Sequence, residues 1–332
     1  MIHVTRLVVL LSAAFQTAPR PQLAVTVDSA RHRVVLTYGP FDVAAHSGHM
    51  MDGEVAMERF RWPLDAWLRG FQMAVLDSGN RPLSRRLVHH FNLVDFDRRE
   101  LAYPIVERLL GGGQETEDVL LPATVGLPVV AGHTFGLTLM WRNDTDQNLS
   151  RIRFRLTLRW IPRNEVPRPV GAMPIWVDVN WQALGPDDFD APPGASVKAY
   201  AFRLPIGGHL LAASGHLHRG GVSLWIADAE NGGVIARSDA RRDSAGQVLG
   251  MSRTLFGVRG MGPHLEAHHR YVLIAVYDNP TLEPLKSVMA IFVGLFAPDH
   301  PDEWPAADPR DSLYQADLAG LTAPPMDMSM DH

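Results

Sequence analysis

Apolar and polar residues alternate with a period of two along most of this chain. The alternation is cleanest from Thr134 to Trp141 and over residues 152–160. Period two turns one face of a strand toward a core and the other toward water, as in half-buried antiparallel sheets. Shorter runs of the same kind cover 23–27, 32–38, 72–77, 87–95, 175–179, 197–202, 271–277 and 287–293, with Gly, Pro, Asn and Asp turns between them. Helical periodicity is all but absent, and Gly111-Gly112-Gly113 reads as a loop. The pattern predicts an all-β protein of two tandem antiparallel β-sandwich domains, jelly-roll-like, with a cleft between them.

Four prolines, Pro162, Pro167, Pro169 and Pro174, mark the boundary. The reading is an N-terminal sandwich over 22–162, a linker over 163–174 and a C-terminal sandwich over 175–300. Residues 301–332 are rich in Pro, Asp and Ala and close on Met326, Met328, Met330 and His332, which reads as an extended Met-rich tail. Residues 1–18 carry Arg6, a short apolar run and then small residues. That layout predicts a signal peptide and a periplasmic or secreted protein. The run is too short to span a bilayer, and no other segment approaches that length, so no membrane span is expected.

The net charge of −5 gives no reason to expect a nucleic acid or an anionic membrane as partner. Cysteine is absent, which excludes disulfides, thiolate metal sites and cysteine nucleophiles. Any metal must be held by His, Met and carboxylates. No phosphate-cradling glycine loop, nucleophile elbow or HExxH motif occurs.

The candidate chemistry lies in Gly215-His216-Leu217-His218, between two apolar runs. On a strand, residues two apart share a face, roughly 6.5 Å apart at Cα. His216 and His218 are therefore either two polar residues on a wet face or two ligands of one metal ion. Met289 in the later apolar run is either core filler or a thioether third donor, and an N₂S set favours copper, Cu(I) above all. His89 and His90 are adjacent, so on a regular strand they face opposite ways and can share an ion only at a bulge or a strand end. Soft donors also crowd His46-Ser47-Gly48-His49-Met50-Met51 and the tail, by accident of composition or for copper handling. His264, His268 and His269 read as surface residues.

Together, Leu87-Val88-His89-His90-Phe91-Asn92-Leu93, Gly215-His216-Leu217-His218 and Tyr277-Asp278-Asn279-Pro280-Thr281 resemble the copper type II ascorbate-dependent monooxygenases, a superfamily with two β-sandwich domains. The likeness is to a bacterial branch without an assigned substrate and covers most of residues 30–300. It implies that His216, His218 and Met289 hold a strongly bound copper that activates dioxygen. His89 and His90 would belong to a second copper that stores and delivers an electron. Ascorbate or another reductant would donate electrons, and a small molecule would be hydroxylated. The family's third ligand at the second copper is a histidine, where this chain has Arg142, a residue that cannot donate to a metal. That site is then two-coordinate and weak, completed from another segment by a residue such as His46, His49 or His133, or lost. Ser214 stands where peptide-processing members carry an arginine for the substrate carboxylate, so peptide amidation is not expected. The alternatives are a non-catalytic periplasmic copper-binding or copper-handling protein on the same scaffold, and a binding module without metal.

Overall fold

A computed structural model describes residues 20–47, 54–183, 188–256 and 261–323. The expected leader, His49 and the methionines of the tail lie outside these residues.

The alternation becomes two sandwiches. In the first, one sheet runs through Gln22–Asp28, Arg33–Val43, Leu149–Pro162, Ala66–Leu76 and Val125–Val129. The facing sheet has the order Glu54–Arg61, Thr134–Trp141, Val88–Arg99, Val106–Gly113. Their inner faces meet in a core that includes Leu36, Val75, Phe91, Phe135, Leu137 and Phe154, all fully buried. In the second, the sheet Met173–Asp178, Ala290–Pro298, Gly208–Leu217 packs on the sheet Gly194–Phe202, Tyr271–Asn279, Gly221–Asp228, Val234–Arg242, Val248–Met251. Its core includes Ile175, Leu210, Leu224, Leu273, Phe292 and Phe296.

The two domains repeat one structural device. Buried Asn143 donates from its amide to the carbonyls of Ala44 and Gln147, while its carbonyl oxygen accepts from the N–H and hydroxyl of Thr145. Buried Asn279 does the same with Ala191, Glu283 and Thr281. Each Asn-x-Thr pins the turn that leaves a central strand by satisfying polar groups that burial would otherwise orphan. The Tyr277-to-Thr281 motif thus has a structural role.

Three expectations about the connections need correction. The segment 163–174 is not a free linker, since Val170–Gly171 pairs in parallel with Val125–Gly126 and the second sandwich already begins at Met173. Nor is 301–332 wholly extended: Ser312–Thr322 is a helix whose N-cap, Asp311, accepts from Leu313 and Tyr314 N–H. That helix returns to the first sandwich, where Tyr314 packs on Val94 and Val106 and Asp317 pairs with Arg108. The glycines 111–113 are not a loop either but the end of Val106–Gly113, hydrogen-bonded opposite His90, Phe91 and Asn92. A Cβ at Gly111 would sit 2.7 Å from the Trp176 ring, and one at Gly113 2.4 Å from the His89 carbonyl. Close approach, not turning, is what these glycines provide.

The connection between Val88–Arg99 and Val106–Gly113 leaves its own domain. Leu101 is buried in the second core, and Tyr103 stacks on Trp181 with ring centroids 3.9 Å apart while its hydroxyl accepts from the Asp178 N–H. Burying Leu101 alone is worth about 1.5–3 kcal/mol. Indole N–H groups complete the join: Trp176 donates to Arg108 O and Trp304 to Arg99 O. Among the described residues no helix is long and apolar enough to cross a membrane.

At the root of this connection Glu100 is fully buried. Burial pushes its carboxyl up to about 8 from an ordinary 4.5, against the opposing hydrogen bond and charge of Arg108. The folded state therefore holds a proton that the unfolded chain releases. Its own contribution to stability is full below pH 4.5, falls as pH rises between 4.5 and about 8, and is lost above. Urea unfolding across that range should show a smaller loss of stability with rising pH in Glu100→Gln than in the unmodified protein, the remainder including that of buried Glu107. An unchanged slope in the variant would contradict the assignment.

Candidate metal centre between the sandwiches

The outer faces of two sheets meet at the cleft, and four imidazoles meet there with them. His216 and His218 share a face of the Gly208–Leu217 strand and its extension, with Leu217 between them turned into the core. His89 and His90 lie at the start of Val88–Arg99. Opposite them Val88 pairs with Trp141 and His90 with Met140, so His89 is the extra residue of a β-bulge. A bulge turns neighbouring side chains toward one side, and the two rings stack with centroids 4.2 Å apart.

Residues expected in two separate sites stand together. His90 Nε2 is 3.2 Å from His216 Nε2, across the domain boundary. The rings of His216 and His218 are 5.0 Å apart and those of His90 and His218 5.6 Å. One nitrogen each from His90, His216 and His218 lies within 4.8 Å of the others. Two nitrogens bound tetrahedrally to one ion at ~2.0–2.1 Å are ~3.3 Å apart, so the His90–His216 spacing is already that of a shared ion.

The partners of the other ring nitrogens set the tautomers. His216 Nδ1 lies 2.8 Å from Glu115 Oε1 and His218 Nδ1 3.1 Å from Ser287 O. Both partners are acceptors, so each Nδ1 carries a proton and each Nε2 is turned away from these partners. His218 Nε2 is buried without a partner. Carboxylate behind imidazole is the usual arrangement around a metal-bound histidine. Burial pushes His218 down to about 3, helped by the His216 charge. His89 falls to about 4, first by burial and then by the charge of Arg142. Burial also drives His90 well below the ordinary value. These three imidazoles are neutral at physiological pH, the form that binds metals. Burial would raise the Glu115 carboxyl, but the charge and hydrogen bond of His216 hold it below its usual value.

Met289 sits in a break between Leu285–Val288 and Ala290–Pro298, not within one strand as its sequence suggests. Its carbonyl accepts from the His218 N–H and the Tyr277 hydroxyl. Val288 and Ala290 on either side are buried, whereas half-buried Met289 lines the cavity that His90 and His216 also line. Arg142 pairs with Asp144. The neighbour of His89 is Met140, whose Sδ is 2.9 Å from His89 Nδ1. His133 pairs with Asp95 and His46 with Asp146. His264 is exposed as expected and pairs with Asp299, close to His209.

Sequence reasoning missed Met140 and Glu115. Met140 was marked by its place on the polar face of Thr134–Trp141, two residues from Thr138, where an apolar side chain needs a partner. Glu115 was masked by the glycine run before it. Replacing Glu115 with Ala should weaken metal binding about 10–100-fold by freeing the His216 ring. Competitive chelator titration measures this, and an unchanged affinity would show that His216 needs no support.

No family model matches this chain, and no curated protein does. Among solved structures, the chain is similar to PNGase F, a glycosylasparaginase from Flavobacterium meningosepticum, at 9% identity and a TM-score of 0.37, covering 83% of this chain and 96% of that one. It is also similar to a chain of the cowpea mosaic virus top component at 11% identity and a TM-score of 0.33, covering 76% and 91%. Neither likeness bears on the chemistry of the cleft.

Proposed function

We propose that His90, His216 and His218 hold copper and that this protein is an exported, copper-dependent monooxygenase-like enzyme. It would hydroxylate a small molecule with dioxygen and an external reductant such as ascorbate. The observation that carries the reading is the convergence of three imidazole nitrogens from both sandwiches, with His218 Nε2 buried and unpartnered. Imidazoles, with Met289 in the same cavity and Met140 against His89, form a soft donor set, which favours copper over hard cations. Bound copper would supply the dioxygen and one-electron chemistry that side chains cannot.

The chain's own part is to hold and to shield. Glu115 and Ser287 fix the His216 and His218 rings so that each Nε2 faces the cluster. Tyr277 and the His218 backbone lock the Met289 turn beside it. Mostly apolar walls keep water from the reacting region.

A second reading, copper binding without catalysis, is favoured by Arg142. The superfamily's third histidine at the electron-storing site is missing there, and His89 meets Met140 instead. Protein purified without chelator should carry one tightly held copper per chain and consume oxygen when ascorbate is added. Copper without ascorbate-dependent uptake would select the second reading. No copper, or retention of zinc alone, would overturn both.

A further inference from the structure

We infer that the cleft cavity is a binding site for an elongated, uncharged, apolar small molecule, an alkyl or alkyl-aryl chain lying along the Ala290–Pro298 strand with one end at the histidines. Which end is transformed rests on the copper reading; the binding itself does not.

The strand is apolar on both faces. Ala290, Phe292 and Phe296 are fully buried in the second core, while Ile291, Val293 and Leu295 alternate with them on the opposite face, half-buried. A strand with one wet face should be polar there. This one continues the line of Met289 as a stripe of four apolar side chains, about 20 Å from end to end. Leu295 packs on the first core and, with Ile291 and Val293, lines a cavity of ≈ 640 Å³. That volume lies within the ~300–1,000 Å³ range of small-molecule sites.

The opposite wall is apolar as well. Leu110 of the first sandwich forms it; Trp176 stands beside Val293, its cross-strand partner, and Gly111 across from them leaves room for the Trp176 ring. Glu115, His90 and His216 line the cavity beside the cluster. Of the other charged lining residues, Arg253 pairs with Glu117, Asp239 pairs with Arg237, and Arg241 donates to the Leu249 carbonyl. A chain-like apolar molecule satisfies this lining, and a charged group at mid-length would be desolvated without compensation.

Titration of the full-length protein with the primary alcohols from 1-hexanol to 1-decanol, followed by calorimetry, tests this. Affinity should rise about fourfold per methylene, the gain expected for burying each CH₂. Val293→Asp should weaken 1-decanol binding at least tenfold. If circular dichroism shows that this variant misfolds, Ile291→Trp, which fills the cavity with apolar bulk, should shorten the longest alcohol that binds. Affinity independent of chain length, or unaltered in whichever of the two cavity variants folds, would overturn the inference. Copper analysis of the same samples keeps the two readings apart. Copper without alcohol binding sinks this inference alone, and alcohol binding without copper sinks the copper reading alone.

Discussion

Leu101 and Tyr103 belong by sequence to the first sandwich and by packing to the second, and the histidine cluster depends on that insertion. His90 and His216 come from different domains, so their 3.2 Å separation exists only while the two sandwiches are held in one relative position. The inserted connection fixes that position from one side, with Tyr103 stacked on Trp181. The C-terminal helix fixes it from another, by carrying the chain back from the second domain to Arg108 of the first. Val106–Gly113 links these supports to the chemistry. It follows the inserted connection, accepts the Trp176 indole N–H at the Arg108 carbonyl, and ends in the glycines just before Glu115.

Assembling a site from two rigid halves explains where the polar groups were placed. Neither sandwich offers a complete donor set, since each contributes one histidine pair. The carboxylate that orients His216 also comes across the boundary, from the first domain. A separation of the domains would leave Glu115, His90 and His218 Nε2 without their neighbours. The buried Asn143 and Asn279 turns, one in each half, stiffen the strand ends from which Met140 and Tyr277 project.

Much of this was legible in the chain. Period-two alternation located most strands, and the i, i+2 spacing put His216 and His218 on one face. Adjacent His89 and His90 could face one way only at a bulge or a strand end, and a bulge is there. What stayed hidden depends on contacts far apart in sequence. Glycine suits turns and close approach equally, so the 111–113 run could be assigned only with Trp176 and His89 in place. The helix at Ser312–Thr322 lies among Pro and Asp residues that suggest an extended tail, and it is held by Val94 and Val106 more than 200 residues away. Spacing within each motif says nothing of the distance between motifs. The two histidine pairs therefore read as two sites, and the docking of the domains makes them one cluster.

That merger is the central claim, and a double-mutant cycle tests it most directly. Cu(I) affinity would be measured by chelator competition for the unmodified protein, His90→Ala, His216→Ala and the double variant. A single centre predicts strong coupling, with the double variant binding little more weakly than either single one. Additive losses, or two independent binding events of which each variant removes one, would show that the two domains bind metal separately.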